Sequence, residues 1–231
     1  MRFAFVFALL FPFVAAAQEK PKKRFCRILF LNPPASAPAK LFLFDGTASQ
    51  EVQLPEMNFS PVYELPSGER TLSLVPKAVT KPEELPAGAP SAKVSEAMLD
   101  FYLILSSDPA NKVAPVRIQL IEADEQKFKR GQMMWYNLTP NSIGGNVGSQ
   151  KLAMKPQSST VMDEPTPGAG QYDVALAFMV PGDQKVHPIC QTKWLHDPRS
   201  RMVMFVYGGS ATIAPEVAGF QDFREPERKP Q

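Results

Sequence analysis

The sequence predicts an all-β protein built as two tandem antiparallel β-sandwich (Ig-like) domains. Three observations carry that reading. Short apolar segments alternate with polar residues at a period of two, as in Arg70 to Val75, where Leu72 and Leu74 point one way and Thr71 and Ser73 the other. Such segments recur along the chain, split by Pro, Gly and Asn turns and not by helical stretches. Proline outnumbers glycine, 24 to 13, which opposes long helices and suits strands joined by stiff loops.

The strands follow in order. Phe25 to Leu31, Lys40 to Phe44, Glu51 to Leu54, Val62 to Leu65 and Arg70 to Val75 open the chain, with turns at Asp45-Gly46 and Pro66-Ser67-Gly68. Prolines at 76, 82, 86 and 90 mark a stiff excursion, and Ala92 to Met98 reads as a helical turn or two. Leu99 to Leu105 and Val116 to Ile121 resume the alternation. The charged stretch from Glu122 to Arg130 marks a boundary, which gives a first domain over 25–124 and a second over 125–213. The second holds strands at Gln132 to Asn137, Lys151 to Met154, Ser159 to Met162, Tyr172 to Val180, Ile189 to Trp194 and Met202 to Tyr207. The charged, proline-bearing text that ends the chain reads as a flexible tail over 214–231.

The two halves share a rhythm. An opening strand ends in Asn32 or Asn137, a short middle strand follows at Val52 to Leu54 or Leu152 to Met154, and a long strand ends in Val-Pro at Pro76 or Pro181. This predicts a duplicated sandwich.

The N-terminus predicts export. Arg2 precedes an apolar run from Phe3 to Val14, and Ala15, Ala16 and Ala17 form a cleavage site, so 1–17 reads as a signal peptide. That run is shorter than the roughly 20 residues of a membrane span, and no stable span is expected after cleavage. Residues 18–24, with Lys20, Lys22, Lys23 and Arg24, read as a solvated basic leader. Export permits a disulfide, and Cys26 with Cys190 is the one pairing the sequence offers; two buried thiols that never meet is the alternative.

Composition narrows the function. With 25 basic and 23 acidic residues the formal net charge is +2, so no nucleic-acid partner is expected. A hydrophobic share of 44% is ample for a folded core. Gly208 to Thr212 lacks the closing Gly of a nucleophile elbow, and Gly144 to Gly148 lacks the Lys of a phosphate loop and reads as a turn. Asp163 and Glu164 are adjacent and splay apart on a strand, a poor start for paired-carboxylate chemistry. Asn137-Leu138-Thr139 and Asn58-Phe59-Ser60 are formal glycosylation sequons, although Asn137 also suits a strand-ending turn.

The wording of the second half, with Gly131, Trp135-Tyr136-Asn137-Leu138-Thr139, Lys151-Leu152-Ala153-Met154-Lys155-Pro156, Thr192-Lys193-Trp194 and Pro198-Arg199-Ser200-Arg201, resembles a group of exported β-rich proteins from Verrucomicrobia-type bacteria. The resemblance spans Leu99 to Tyr207; Leu41 to Gly46 and Leu65 to Gly68 resemble secreted bacterial sandwich domains more loosely. It implies export and a sandwich fold, and it carries no catalytic residues.

The expected function is therefore non-catalytic binding or scaffolding at the bacterial cell envelope, periplasmic or extracellular, with an envelope protein or polymer as partner and no cofactor. The loops Pro76 to Pro90 and Thr139 to Gln150, with Trp135 and Tyr136, are the expected contact surfaces. A carbohydrate-binding module is one alternative. A periplasmic copper or zinc protein is the other, with His187, Cys190 and His196 as ligands and Met202 and Met204 downstream. Spacing already opposes that set, because positions 187 and 190 fall on opposite faces of a regular strand.

Overall fold

A computed structural model of the chain describes residues 23–183, 185–209 and 213–223. The expected signal peptide, most of the basic leader and residues 224–231 of the expected tail lie outside the described residues. The first half supplies β1 (Arg24–Phe30), β2 (Lys40–Phe44), β3 (Ser49–Gln53), β4 (Tyr63–Leu65), β5 (Arg70–Val75), β6 (Ser91–Val94), β7 (Asp100–Ser107) and β8 (Val116–Glu122). The second supplies β9 (Met133–Asn137), β10 (Ser142–Val147), β11 (Gln150–Met154), β12 (Ser158–Met162), β13 (Gly170–Met179), β14 (Val186–His196), β15 (Arg201–Tyr207) and β16 (Glu216–Asp222).

The strands form four sheets: A, in the order β4-β1-β7-β8; B, β3-β2-β5-β6; C, β12-β9-β15-β16; and D, β11-β10-β13-β14. Raising every strand number of A and B by eight gives C and D, down to the parallel pairs β1–β7 and β9–β15. The rhythm read from the sequence is thus a repeated topology.

The layers stack B–A–C–D. One apolar core lies between A and B, with Cys26, Ile28, Phe30, Leu43, Leu74 and Leu103. Another lies between C and D, with Trp135, Ile143, Val174, Leu176, Phe178 and Val206. A third joins the backs of A and C through Leu29, Tyr102, Ile104, Met134, Val203 and Phe205. Successive residues of a strand point to opposite faces, so β1, β7, β9 and β15 need apolar side chains at both parities. That explains the unbroken run Phe101 to Leu105, in which all five residues are buried.

The expectation of sandwich-like all-β architecture holds, its purely antiparallel pairing is corrected by the parallel pairs β1–β7 and β9–β15, and its Ig-like order is not confirmed. An immunoglobulin order, A-B-E-D facing C-F-G, places the first strand beside the second. Here β1 sits inside sheet A between β4 and β7, and its pairing with β7 is parallel. A strand apolar on both faces is most stable at such an inner position.

Four further expectations are corrected. Arg24 belongs to β1 and not to a solvated leader: it is 0% exposed, and its guanidinium donates to the carbonyls of Met98, Pro66, Gly68 and Ser95. Part of Ala92 to Met98, expected as helical, is β6, because Ser91 to Val94 finds a partner in β5. The expected loop Thr139 to Gln150 holds β10, an inner strand of sheet D. Its glycines hide the alternation, and Gly145 is required by close approach, since a Cβ there would lie 2.0 Å from the Ala175 carbonyl oxygen. Finally, Glu216 to Asp222 of the expected tail is β16, paired along its length with β15. Gly219 opens its centre to Met204, whose Sδ would lie 2.6 Å from an added Cβ.

The sequon at Asn137 is a buried turn. Asn137 is 1% exposed, donates to the Asn141 and Lys155 carbonyls at 2.7 and 2.8 Å, and accepts from the Thr139 amide and hydroxyl.

The back-to-back packing of A on C predicts one cooperative unit. Leu29→Ala removes packing at that interface and is expected to cost about 2–5 kcal/mol. The loss should shift the urea transition seen by Trp135 and Trp194, which both lie in the second sandwich. A tryptophan transition unmoved by the variant would mean that the halves unfold independently.

Candidate functional site

The residues singled out in the sequence occupy separate places. Trp135 is 0% exposed, with its ring centroid 6.1 Å from that of Trp194. Tyr136 packs between the sheets on Phe205, at 5.6 Å, and burial, aided by the Glu122 charge, pushes its hydroxyl up to about 12. Burial closes Trp135 off from a partner, Tyr136 is half-buried, and both positions follow from sheet C being apolar on two faces.

His187, Cys190 and His196 lie along β14, whose register pairs them with Phe178, Leu176 and Gly170. A register shift between Leu176 and Ala177 restores 187 and 190 to the same face, but the two histidines stand at opposite ends of the strand. Nine residues at ~3.3 Å each separate them by roughly 30 Å, so the three cannot share a metal ion. Burial raises the Cys190 thiol, which belongs to the packing of the second core. Cys26 lies in the first core, facing away from sheet C. Sheets stacked ~10 Å apart put the two sulfurs at least roughly 20 Å from each other, so of the two alternatives the thiols that never meet is the one found, and the possible disulfide does not form.

The constellation that the structure does assemble lies at the seam between sheets A and C. Asp222, at the end of β16 and 1% exposed, accepts from the Arg201 guanidinium at 2.6 Å, from the Tyr102 hydroxyl at 2.5 Å, and from Arg27. Arg201 also donates to the Ala123 and Phe128 carbonyls and lies 5.1 Å from the Phe128 ring centroid, with Asp100 at 3.9 Å. Arg27 donates to the Ser60 and Phe59 carbonyls and stands 5.5 Å over the Phe59 ring. Two guanidinium groups and two carboxylates therefore neutralise one another across the seam, and backbone carbonyls accept further hydrogen bonds from both guanidinium groups.

Above this network opens a cleft of about 1040 Å³. Sheet A supplies its floor through Phe25, Arg27 and Asp100; the connection between the halves supplies Asp124, Lys129 and Arg130, and Phe223 closes the far side, 52% exposed. The cleft combines apolar surface with charges of both signs at the junction of two sandwiches, a common location for ligand sites. The sequence signals for it are faint, because its charges come from a connection and from residues beside strand ends.

A smaller polar corner surrounds His196. Its Nε2 and the Glu164 carboxylate both approach Gly131, where a Cβ would lie 3.9 Å and 3.7 Å from them. Burial holds the imidazole below its ordinary range, against the pull of Glu164 and Asp197. The Arg199 guanidinium holds Asp197 down at about 2.

No family model matches the chain, and no curated protein matches it.

Two predictions follow from these groups. Asp222→Ala removes the carboxylate that Arg27 and Arg201 share, leaving Arg201 with Asp100 at 3.9 Å, and is expected to cost about 3–5 kcal/mol, whereas Tyr102→Phe costs about 1–2 kcal/mol. Denaturant midpoints of the two variants check the ranking, and equal losses would contradict it. For His196 the folded chain resists the proton that the unfolded chain takes up below pH 6.5. Stability should therefore fall as pH drops from that value toward the lower pKa of the folded form. In His196→Gln that part of the pH dependence should vanish, as read from midpoints across a pH series.

Proposed function

We infer that the protein is an exported, non-catalytic binding or scaffolding protein of the bacterial cell envelope, and that the cleft at the seam is where it engages an envelope protein or polymer. The supporting observation is the cleft itself: about 1040 Å³, floored by sheet A and rimmed by Lys129, Arg130 and Asp124. Its floor is fixed because Arg27, part of it, is held by Asp222 and by backbone carbonyls, so a partner is met by a preformed surface. The leader at 1–17, the basic residues that follow it and the resemblance to exported β-rich proteins of Verrucomicrobia-type bacteria support the location.

Carbohydrate is the second reading. Phe25 and Phe223 stand in the cleft beside Asp100, Asp124 and Glu125, the mixture of ring faces and hydroxyl-binding carboxylates that sugars use.

Co-sedimentation of the exported chain with purified cell-wall sacculi and with outer-membrane vesicles tests both readings. Retention by either polymer is expected, with a several-fold loss in the double variant Lys129→Glu, Arg130→Glu. Competition by soluble cell-wall glycan would select the carbohydrate reading. Protein that stays in the supernatant with both polymers, or an intact mass from cells that retains Met1 to Ala17 in the cytosol, would overturn the proposal.

A further inference from the structure

We propose that β14 pairs with β14 of a second copy of this chain, antiparallel about a two-fold axis at Thr192, to join two D sheets into one sheet of eight strands. The starting point is an asymmetry in the repeat. In the first half β6 has four residues and closes against β8; in the second its counterpart β14 has 11, and among the described residues makes no comparable contact with β16. β14 is also an edge strand, bonded to β13 on one side only. Its outer row of N–H and C=O groups calls for another extended polypeptide backbone.

The side chains show the same overhang. Cys190, Thr192 and Trp194 lie opposite the core residues Leu176, Val174 and Tyr172 and so face inward. Yet Thr192 is exposed, and Cys190 and Trp194 are only partly covered. Leu195 on the outward row is 65% exposed.

Two features limit the pairing to one stretch. Pro188 has no N–H to give, and the register shifts beside it, so the ladder is blocked at that end. The buried His196 ends it at the other. Between them Ile189 to Leu195 carries one charge, Lys193.

This stretch is complementary to itself. With Thr192 opposite Thr192, Ile189 meets Leu195, Cys190 meets Trp194 and Gln191 meets Lys193, each pair twice about the axis. Apolar residues face apolar ones, and no like charges are opposed. A centre one residue later would set lysine against lysine. The paired inward rows would cover each other's Trp194 and Cys190 where sheet C falls short. A second copy is therefore the occupant that the edge fits.

Sedimentation equilibrium of the exported chain tests this, together with two variants at the outward, exposed Gln191. Wild type is expected to show a concentration-dependent dimer. Gln191→Lys opposes Lys193 of the other copy twice and should weaken the dimer by roughly tenfold, while Gln191→Glu should strengthen it. Tryptophan fluorescence should report an unchanged fold in both. In a Cys190→Ser background, Thr192→Cys should oxidise to a covalent dimer. A wild-type monomer at every concentration, or a dimer indifferent to both Gln191 substitutions, would overturn the proposal.

Discussion

The carboxylate of Asp222 is the point on which the molecule's assembly turns. It comes from the last residue of β16, yet it accepts from Arg27 on β1 and Tyr102 on β7 as well as from Arg201 beside it on β15. A charge so deeply buried is tolerated only with partners on every side, so its presence fixes the spacing and register of sheet A on sheet C. The same contact holds both ends of the described chain at one place. The cleft opens beside this pin, with Arg27 part of its lining and Phe25 and Phe223 on its surface.

Around that pin the chain repeats one eight-strand plan twice, and the departures from the repeat are informative. The central strands of inner sheets A and C bury both faces; outer sheets B and D bury one and expose polar rows such as Glu51, Gln53 and Lys151. The strands that differ most between halves are β6 and β14. Glycine marks the places where backbone crowds backbone in the second half, at Gly145 against Ala175 and at Gly148 against Pro165.

Much of this was legible in the sequence, for definite reasons. Strands with clear alternation, such as Lys40 to Phe44 and Arg70 to Val75, have the bounds that their pattern gives. The repeated rhythm corresponds to β1, β3 and β5 set against β9, β11 and β13. Three strands escaped because their neighbours, and not their own residues, make them strands. β10 contains adjacent glycines, β16 places its apolar residues thinly around Gly219, and β6 has four residues beside a proline-rich segment. The seam was hidden for another reason. Arg201 and Asp222 are charged residues at strand ends and Arg27 stands in the middle of β1, and sequence alone reads such residues as solvated. The signal that was present is the unbroken apolar run in β7, which no one-sided sandwich strand requires. The metal set illustrates the reverse case, since proximity in sequence along an extended strand becomes distance in space.

The central claim is that the seam makes the four layers one folding unit. Native-state hydrogen exchange tests it most directly, by comparing slow amides of β2 and β5 in sheet B with those of β10 and β13 in sheet D. The account predicts that both sets exchange only through the same global opening, with one common free energy. Two separate free energies, one for each sandwich, would contradict it.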